Sequence, residues 1–538
     1  MRRILRSWGV VVAALTVSAA HTGLAAQTTP YVTNLDPAYT DLDVLVSEGL
    51  VRRIILGERP YSRAAFGRFV AEATARVEER EGAVSARSRE ALERLARRFD
   101  DPDEDPPLVR PRSSFVEVTG ADSPSRPLRV GALDGSGIDG SLNPLLQRNQ
   151  GRVLEDGFTG AFETELDIRW KEIAGGVHPR GWLSLPKGPE YMDADVTLLE
   201  AYARTVLGPV ALELGRNHVE LGYGNEGGTM LSHGARGLDM ARIAMDRPVQ
   251  LPGPFRVLGL WQASGLLADM GDDRDVPGSF LTVLRLSSRP TRFIEIGVNY
   301  MNLQGGEGSP DGNWRDRLHD LFLFWTDGGY LQISDKVVGL DLGLTLPAIH
   351  TDLFVNFMTT DDRGRFRQPA SGVWEDAIWL AGARVQRVGP GGRFDVWGEW
   401  RHGGARIHAH QQFTSGMTLD RRLLGDVLGP NAASVEAGVD WTGPSSRIGV
   451  ALAWERYSGD DYDWGLINGA VYPDFDWFRV SDNPDEIRRR VTATWSPLGL
   501  IDEMETSVRL GYEHVSRFAY TDESRDNLFA QVKVGFRW

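Results

Sequence analysis

Two short stretches set carboxylates beside aromatic rings. DDYDW carries Asp460, Asp461, Asp463 and Trp464, and DFDWF carries Asp474, Asp476 and Trp477. Sugars offer hydroxyls to carboxylates and apolar ring faces to aromatics, so this mixture suits saccharide binding. The same residues also fit an acidic, solvated loop. Their spacing is not that of an EF-hand, and no calcium site is assigned.

GYGNEG (Gly222 to Gly227) fits the pattern G-x-G-x-x-G. A dinucleotide fingerprint needs that pattern between the strand and helix of a βαβ unit, but both flanks here alternate like strands. No GK[ST] follows for a phosphate loop. The glycines are better read as permitting positive φ or close backbone approach. Arg216, His218, Glu220, Tyr223, Asn225 and Glu226 surround them. These residues are candidates for sugar binding or for lining a lumen. The reading we favour makes them a hydrogen-bond network that folds a loop inward.

In HGGARIHAHQQ, His408 and His410 are two apart and share one face of a strand, but no third metal ligand is evident, so they read as exposed loop histidines. The run DMGDDRD (Asp269 to Asp275) reads as solvated. Neither G-x-S-x-G nor H-E-x-x-H occurs, and the scattered carboxylates single out no facing pair. The expectation is a non-catalytic protein with no cofactor and no metal.

Strands must position these residues. In RIGVALAWE, Ile448, Val450, Leu452 and Trp454 fall on one face, with Arg447, Gly449, Ala451, Ala453 and Glu455 on the other. FDVWGEW, FIEIGVNY and TSVRLGY repeat the alternation. Tight turns at LGP, SSRPT, LPA, GPGG and GPSS alternate with long connections near 120–158, 217–235, 302–336, 402–432 and 457–486. That is the layout of an up-and-down transmembrane barrel, and the spacing predicts about 18 antiparallel strands. The last stretch, LFAQVKVGFRW, puts Leu528, Val532, Phe536 and Trp538 on one face. It resembles the C-terminal signal of bacterial outer-membrane barrels.

The chain of 538 residues carries a net charge of −15 and no cysteine, which excludes disulfides and thiolate sites and argues against a nucleic-acid partner. Its 16 Trp and 61 Gly suit aromatic girdles and tight turns. MRRILRSW followed by GVVVAALTVSAA reads as a secretory signal peptide over residues 1–26. Residues 27–108 read as a small α-helical bundle, with Leu42, Leu45, Val46 and Leu50 on one helix face, Ser62 as an N-cap before Phe66, Phe69 and Val70, and Leu92, Leu95 and Phe99 on a third helix. The breaker run DDPDEDPP closes it, and residues 109–538 form the barrel.

Two features together resemble the Wzi capsule-assembly family of outer-membrane proteins. One is the bundle with LVSEGLVRRIILGERPYSRAAFGRFVAEA. The other is LELGRNHVELGYGNEGGTMLSHGARGLDMARI followed by LGLWQASG. GGEG with NWRDRLHDLF, and LLGDVLGPNAASVEAGVDW, are similar to family segments in the same order. The resemblance implies an occluded 18-stranded outer-membrane barrel with a periplasmic bundle. It implies a lectin role: binding exported capsular or related surface polysaccharide and assisting its attachment. The implied partner is that polysaccharide; the barrel adds outer-membrane lipid, and the position of the bundle alone suggests that it caps the periplasmic mouth or meets the polysaccharide export machinery. The alternative is an outer-membrane porin or substrate-specific channel.

Overall fold

The structure is a computed structural model. It describes residues 28–538 apart from 80–83, 100–107, 123–149, 153–155, 189–191, 226, 310–311, 323–332, 361–372, 375–376, 406, 408–412, 414, 467–474, 482 and 499–502. The signal peptide, the run at 100–107, Glu226, His408, His410 and Asp474 lie outside the described residues.

Alternating side chains decide the architecture. Along Ser446–Tyr457, Ile448, Val450, Leu452 and Trp454 are exposed, while Glu455 on the opposite parity is only 3% exposed. A soluble protein would invert this pattern. A wall that is apolar outside and charged inside suits lipid on one side and a polar lumen on the other. Eighteen antiparallel strands form a closed barrel. The first, Val109–Ala121, pairs with the last, Ser524–Arg537, from Ser113 opposite Arg537 to Ala121 opposite Phe529. This last strand exposes Leu528, Val532, Phe536 and Trp538, and the Trp538 amide donates to the Arg112 carbonyl at 2.8 Å. Among the described residues no helix is long and apolar enough to cross a membrane.

Inside the barrel, charges are neutralised in pairs. Arg490 meets Glu455 at 2.8 Å, Arg401 meets Asp426 at 2.7 Å and Arg285 meets Asp341 at 2.5 Å. Each pair is nearly dry, so removing one partner strands the other at a cost of about 3–5 kcal/mol.

Among the described residues three helices precede the barrel: α1 (Ala38–Ser47), α2 (Arg63–Glu79) and α3 (Ala86–Phe99). The Ala65 amide donates to the Ser62 hydroxyl at 3.2 Å, capping α2. Leu42, Leu45, Phe66, Phe69, Leu95 and Phe99 form a dry core, with the Phe66 and Phe99 rings stacked at 4.6 Å. This bundle sits in the short-turn mouth of the barrel. Its carboxylates and guanidiniums meet strand-end partners spread around the rim: Arg87 with Asp395, Glu90 with Arg393, Asp41 with Arg447, and Asp36 with Arg537.

Candidate functional site

The GYGNEG loop turns into the barrel. It leaves the strand Val210–Asn217 and reaches the bundle connection, where Glu220 and Leu221 pair antiparallel with Arg59 and Glu58. The Gly222 amide donates to the Gly57 carbonyl at 2.9 Å. Gly222 and Gly224 hold φ of 108° and 125°, a region that disfavours side chains. A Cβ on Gly222 would stand 2.8 Å from the Asn356 amide nitrogen, so the close approach and the backbone angle both require glycine.

The far wall grips the loop. Asn356 accepts from the Tyr223 amide at 3.3 Å and donates to the Tyr223 carbonyl at 2.8 Å. The Asn225 amide donates to Glu399 at 2.6 Å, and Arg384 donates to the Asn225 side-chain oxygen at 2.5 Å. At the foot of the loop, the His218 and His233 rings stack at 5.0 Å. His233 lies 3.2 Å from Glu220, and His218 lies 3.6 Å from Glu200. Asn34 of the N-terminal segment sits 3.1 Å from His233. The structure thus gathers His218, Glu220, Tyr223 and Asn225 in hydrogen bonds or ion pairs with other parts of the chain. Arg216 stands apart: it shares the outward parity of Leu214 and forks onto Asp239 at 2.8 and 2.7 Å.

Above the loop the lumen is apolar. Val219, Leu221, Met230 and Leu231 pack against wall residues such as Leu281, Leu303 and Val337. Ile407, Phe413, Met417 and Leu424 join from the connection after Gly403. The Ser232 amide donates to the Leu424 carbonyl at 2.7 Å, tying the two inserts together. Arg274 belongs to this plug and not to solvent. It is 8% exposed and donates to the carbonyls of Thr418 and Gly416 at 3.1 Å, which corrects the reading of its run as wholly solvated.

Below the loop lies a cavity of about 1540 Å³, roofed by Tyr223 and Asn225 and floored by α1. Phe354 and Trp397 are on its wall, each packed against a glycine of the neighbouring strand, a juxtaposition that sequence alone does not show.

The two carboxylate–aromatic stretches meet outside the barrel. Asp461–Leu466 and Phe475–Ser481 form a hairpin in which Trp464 pairs with Trp477, Asp463 with Phe478 and Gly465 with Asp476. The Asp460 amide, just before it, donates to the Ser458 hydroxyl at 3.2 Å. Sequence reasoning also passed over an outward aromatic group at the long-loop rim. There Trp374 stacks on His402 at 3.9 Å, with Trp400 6.1 Å from Trp374. Among the described residues no cluster of three His, Asp or Glu side chains is placed to hold a metal.

The bundle interface has its own electrostatics. Burial raises the Asp36 carboxyl pKa, but Arg537 and Arg98 outweigh burial and hold it well below the ordinary range. The hydrogen bond from Arg393 lowers Glu90. Burial raises Glu48, but the hydroxyl of Ser88 and the charge of Arg387 leave it lowered.

A family model described as capsule assembly protein Wzi matches residues 136–528. Among solved structures, the chain is similar to Wzi, an outer-membrane protein involved in group 1 capsule assembly in Escherichia coli and described as a carbohydrate-binding β-barrel. The TM-score is 0.66 at 15% identity, over 95% of this chain and 100% of that one. OprD of Pseudomonas aeruginosa aligns with a TM-score of 0.38 at 11% identity, over 80% of this chain and 95% of its own. OccAB1 of Acinetobacter baumannii gives 0.41 at 9% identity, over 79% and 96%. No curated protein matches the chain.

Proposed function

Because the chain belongs to the Wzi family of capsule assembly proteins, we propose that it binds an exported capsular or related polysaccharide at the cell surface, without catalysis, and assists its attachment. The observation that carries this reading is the hairpin in which Asp461–Leu466 pairs with Phe475–Ser481, a sheet separate from the barrel. It brings two carboxylate–aromatic stretches into one element, the combination that sugar rings and hydroxyls favour. The apolar outer wall suits the outer membrane, with the short turns and the bundle on the periplasmic side and the long loops outside. In that orientation the lipid meets the strands, and the bundle is the part that export machinery would reach. The channel alternative loses support from the apolar plug packed inside the lumen. A deletion strain tests the proposal. Its cells should shed surface polysaccharide into the medium, and the full chain supplied in trans should restore retention. Retention unchanged by the deletion would overturn the reading.

A further inference from the structure

We infer that the cavity beneath the GYGNEG loop is a second saccharide site, reached from the short-turn mouth and separate from the outer loops. This rests on the polysaccharide reading above and extends it to the opposite face.

The lining argues the ligand class. Arginines and carboxylates occur on it in equal number, and the arginines are largely committed. Arg94 and Arg447 share Asp41, Arg98 and Arg537 share Asp36, and Arg384 serves Asn225. A strongly anionic ligand would have to break these pairs, while a polyhydroxylated ligand can hydrogen-bond to them as they stand. Asp352 adds an acceptor, since its buried Oδ1 has no hydrogen-bond partner in the protein.

Aromatic surface is present too. Trp397 fills the space a Cβ would take at Gly438, 2.4 Å away, and Phe354 does the same at Gly382, 2.3 Å away. Tyr223 does so at Gly343, 2.6 Å away. Glycine on the adjoining strand or loop contact lets each ring lie back against the wall, and all three rings line the cavity. Such rings suit stacking against sugar rings. The volume of about 1540 Å³ exceeds the usual range for small-molecule pockets and has room for several sugar residues.

Access comes from the rim. Leu35, Thr40, Glu503 and Trp538 line the same space and are exposed. Toward the opposite end the apolar plug packs inside the barrel. A ligand would therefore enter from the side on which the bundle sits.

The native chain has no cysteine, so one substitution reports one position. S496C places a thiol on the cavity wall. The refolded full chain, in lipid vesicles, would be treated with a bulky charged maleimide, with and without short oligosaccharides cut from the host's surface polysaccharide. The expected result is labelling of S496C that slows at least fivefold with the oligosaccharides, and protection that is lost in S496C combined with either W397A or D352N. D352N keeps the side chain's shape, so it stands if W397A fails to fold. Binding of the intact polymer should persist in D352N. Labelling unaffected by oligosaccharide, while the polymer still binds, would overturn the inner site and leave the outer one standing. Protection without polymer binding would keep the inner site and overturn the outer reading. A thiol that does not label would overturn access from this mouth.

Discussion

Arg87 of α3 grips Asp395 of the barrel wall with both terminal nitrogens, at 2.6 and 2.5 Å. The arginine side chain is 1% exposed and the carboxylate 10%. A bidentate fork in so dry a place is one of the ties that hold the bundle in the mouth. Arg87→Ala would leave Asp395 buried without its main partner, weakening docking by about 3–5 kcal/mol. Limited proteolysis of the refolded protein checks this: the α2–α3 segment should be cut first and faster than in the wild type, with the barrel left intact.

An apolar plug within the lumen and a bundle in its mouth predict how the barrel conducts. Deleting residues 31–108 removes the bundle but leaves Leu221, Met230 and Leu231 packed on the wall. Planar-bilayer recordings should therefore show little conductance for that deletion. A clear rise should come when the inward part of the GYGNEG loop and the 404–431 connection are shortened as well. Large conductance from the bundle deletion alone would show that the apolar plug depends on the bundle for its closure.

Acid should loosen the bundle. Asp36, Glu48 and Glu90 are all held below their ordinary values in the folded protein. A depressed carboxylate contributes stability above its unfolded pKa, about 4, and loses it as pH falls through the folded value. Hydrogen-exchange protection of α1 and α3 should be flat from about pH 7 to about pH 5 and should fall below about pH 4. Protection that falls instead between pH 7 and 5 would contradict this.

Gly438 is a packing position for the Trp397 ring. Gly438→Ala would push a methyl against that ring, and overpacking of this kind costs about 1–3 kcal/mol. The same change at Gly160, where a Cβ would meet nothing within 4 Å, should cost less. Urea denaturation of both variants in detergent gives the comparison.

The barrel was legible because its signals are local. RIGVALAWE states its own inside and outside, and the tight turns at LPA and GPGG alternate with long connections whatever else the chain does. The helices were legible for the same reason, from Leu42, Leu45 and Leu50 on one side and Ser62 before Phe66. What could not be read was which distant groups meet. Nothing near Glu58 announces that it will pair with Leu221, because that register depends on a loop crossing the lumen. Arg274 looked solvated within DMGDDRD because burial by a separate loop leaves no trace in its neighbours. The candidate set around GYGNEG was drawn by proximity in sequence, which grouped Arg216 with residues on the other side of the wall. The aromatic positions Trp397 and Phe354 carry meaning only once Gly438 and Gly382 are known to lie beside them.

In the proposed function the barrel holds a surface polysaccharide through its outer hairpin. Calorimetric binding of the refolded full chain to the host's purified polysaccharide, with an unrelated glycan as control, tests it most directly. Saturable, selective binding is expected, weakening at least tenfold in Trp464→Ala and in Trp477→Ala, about 1.4 kcal/mol or more. Absence of binding across salt and calcium conditions, or binding indifferent to both tryptophans, would contradict it.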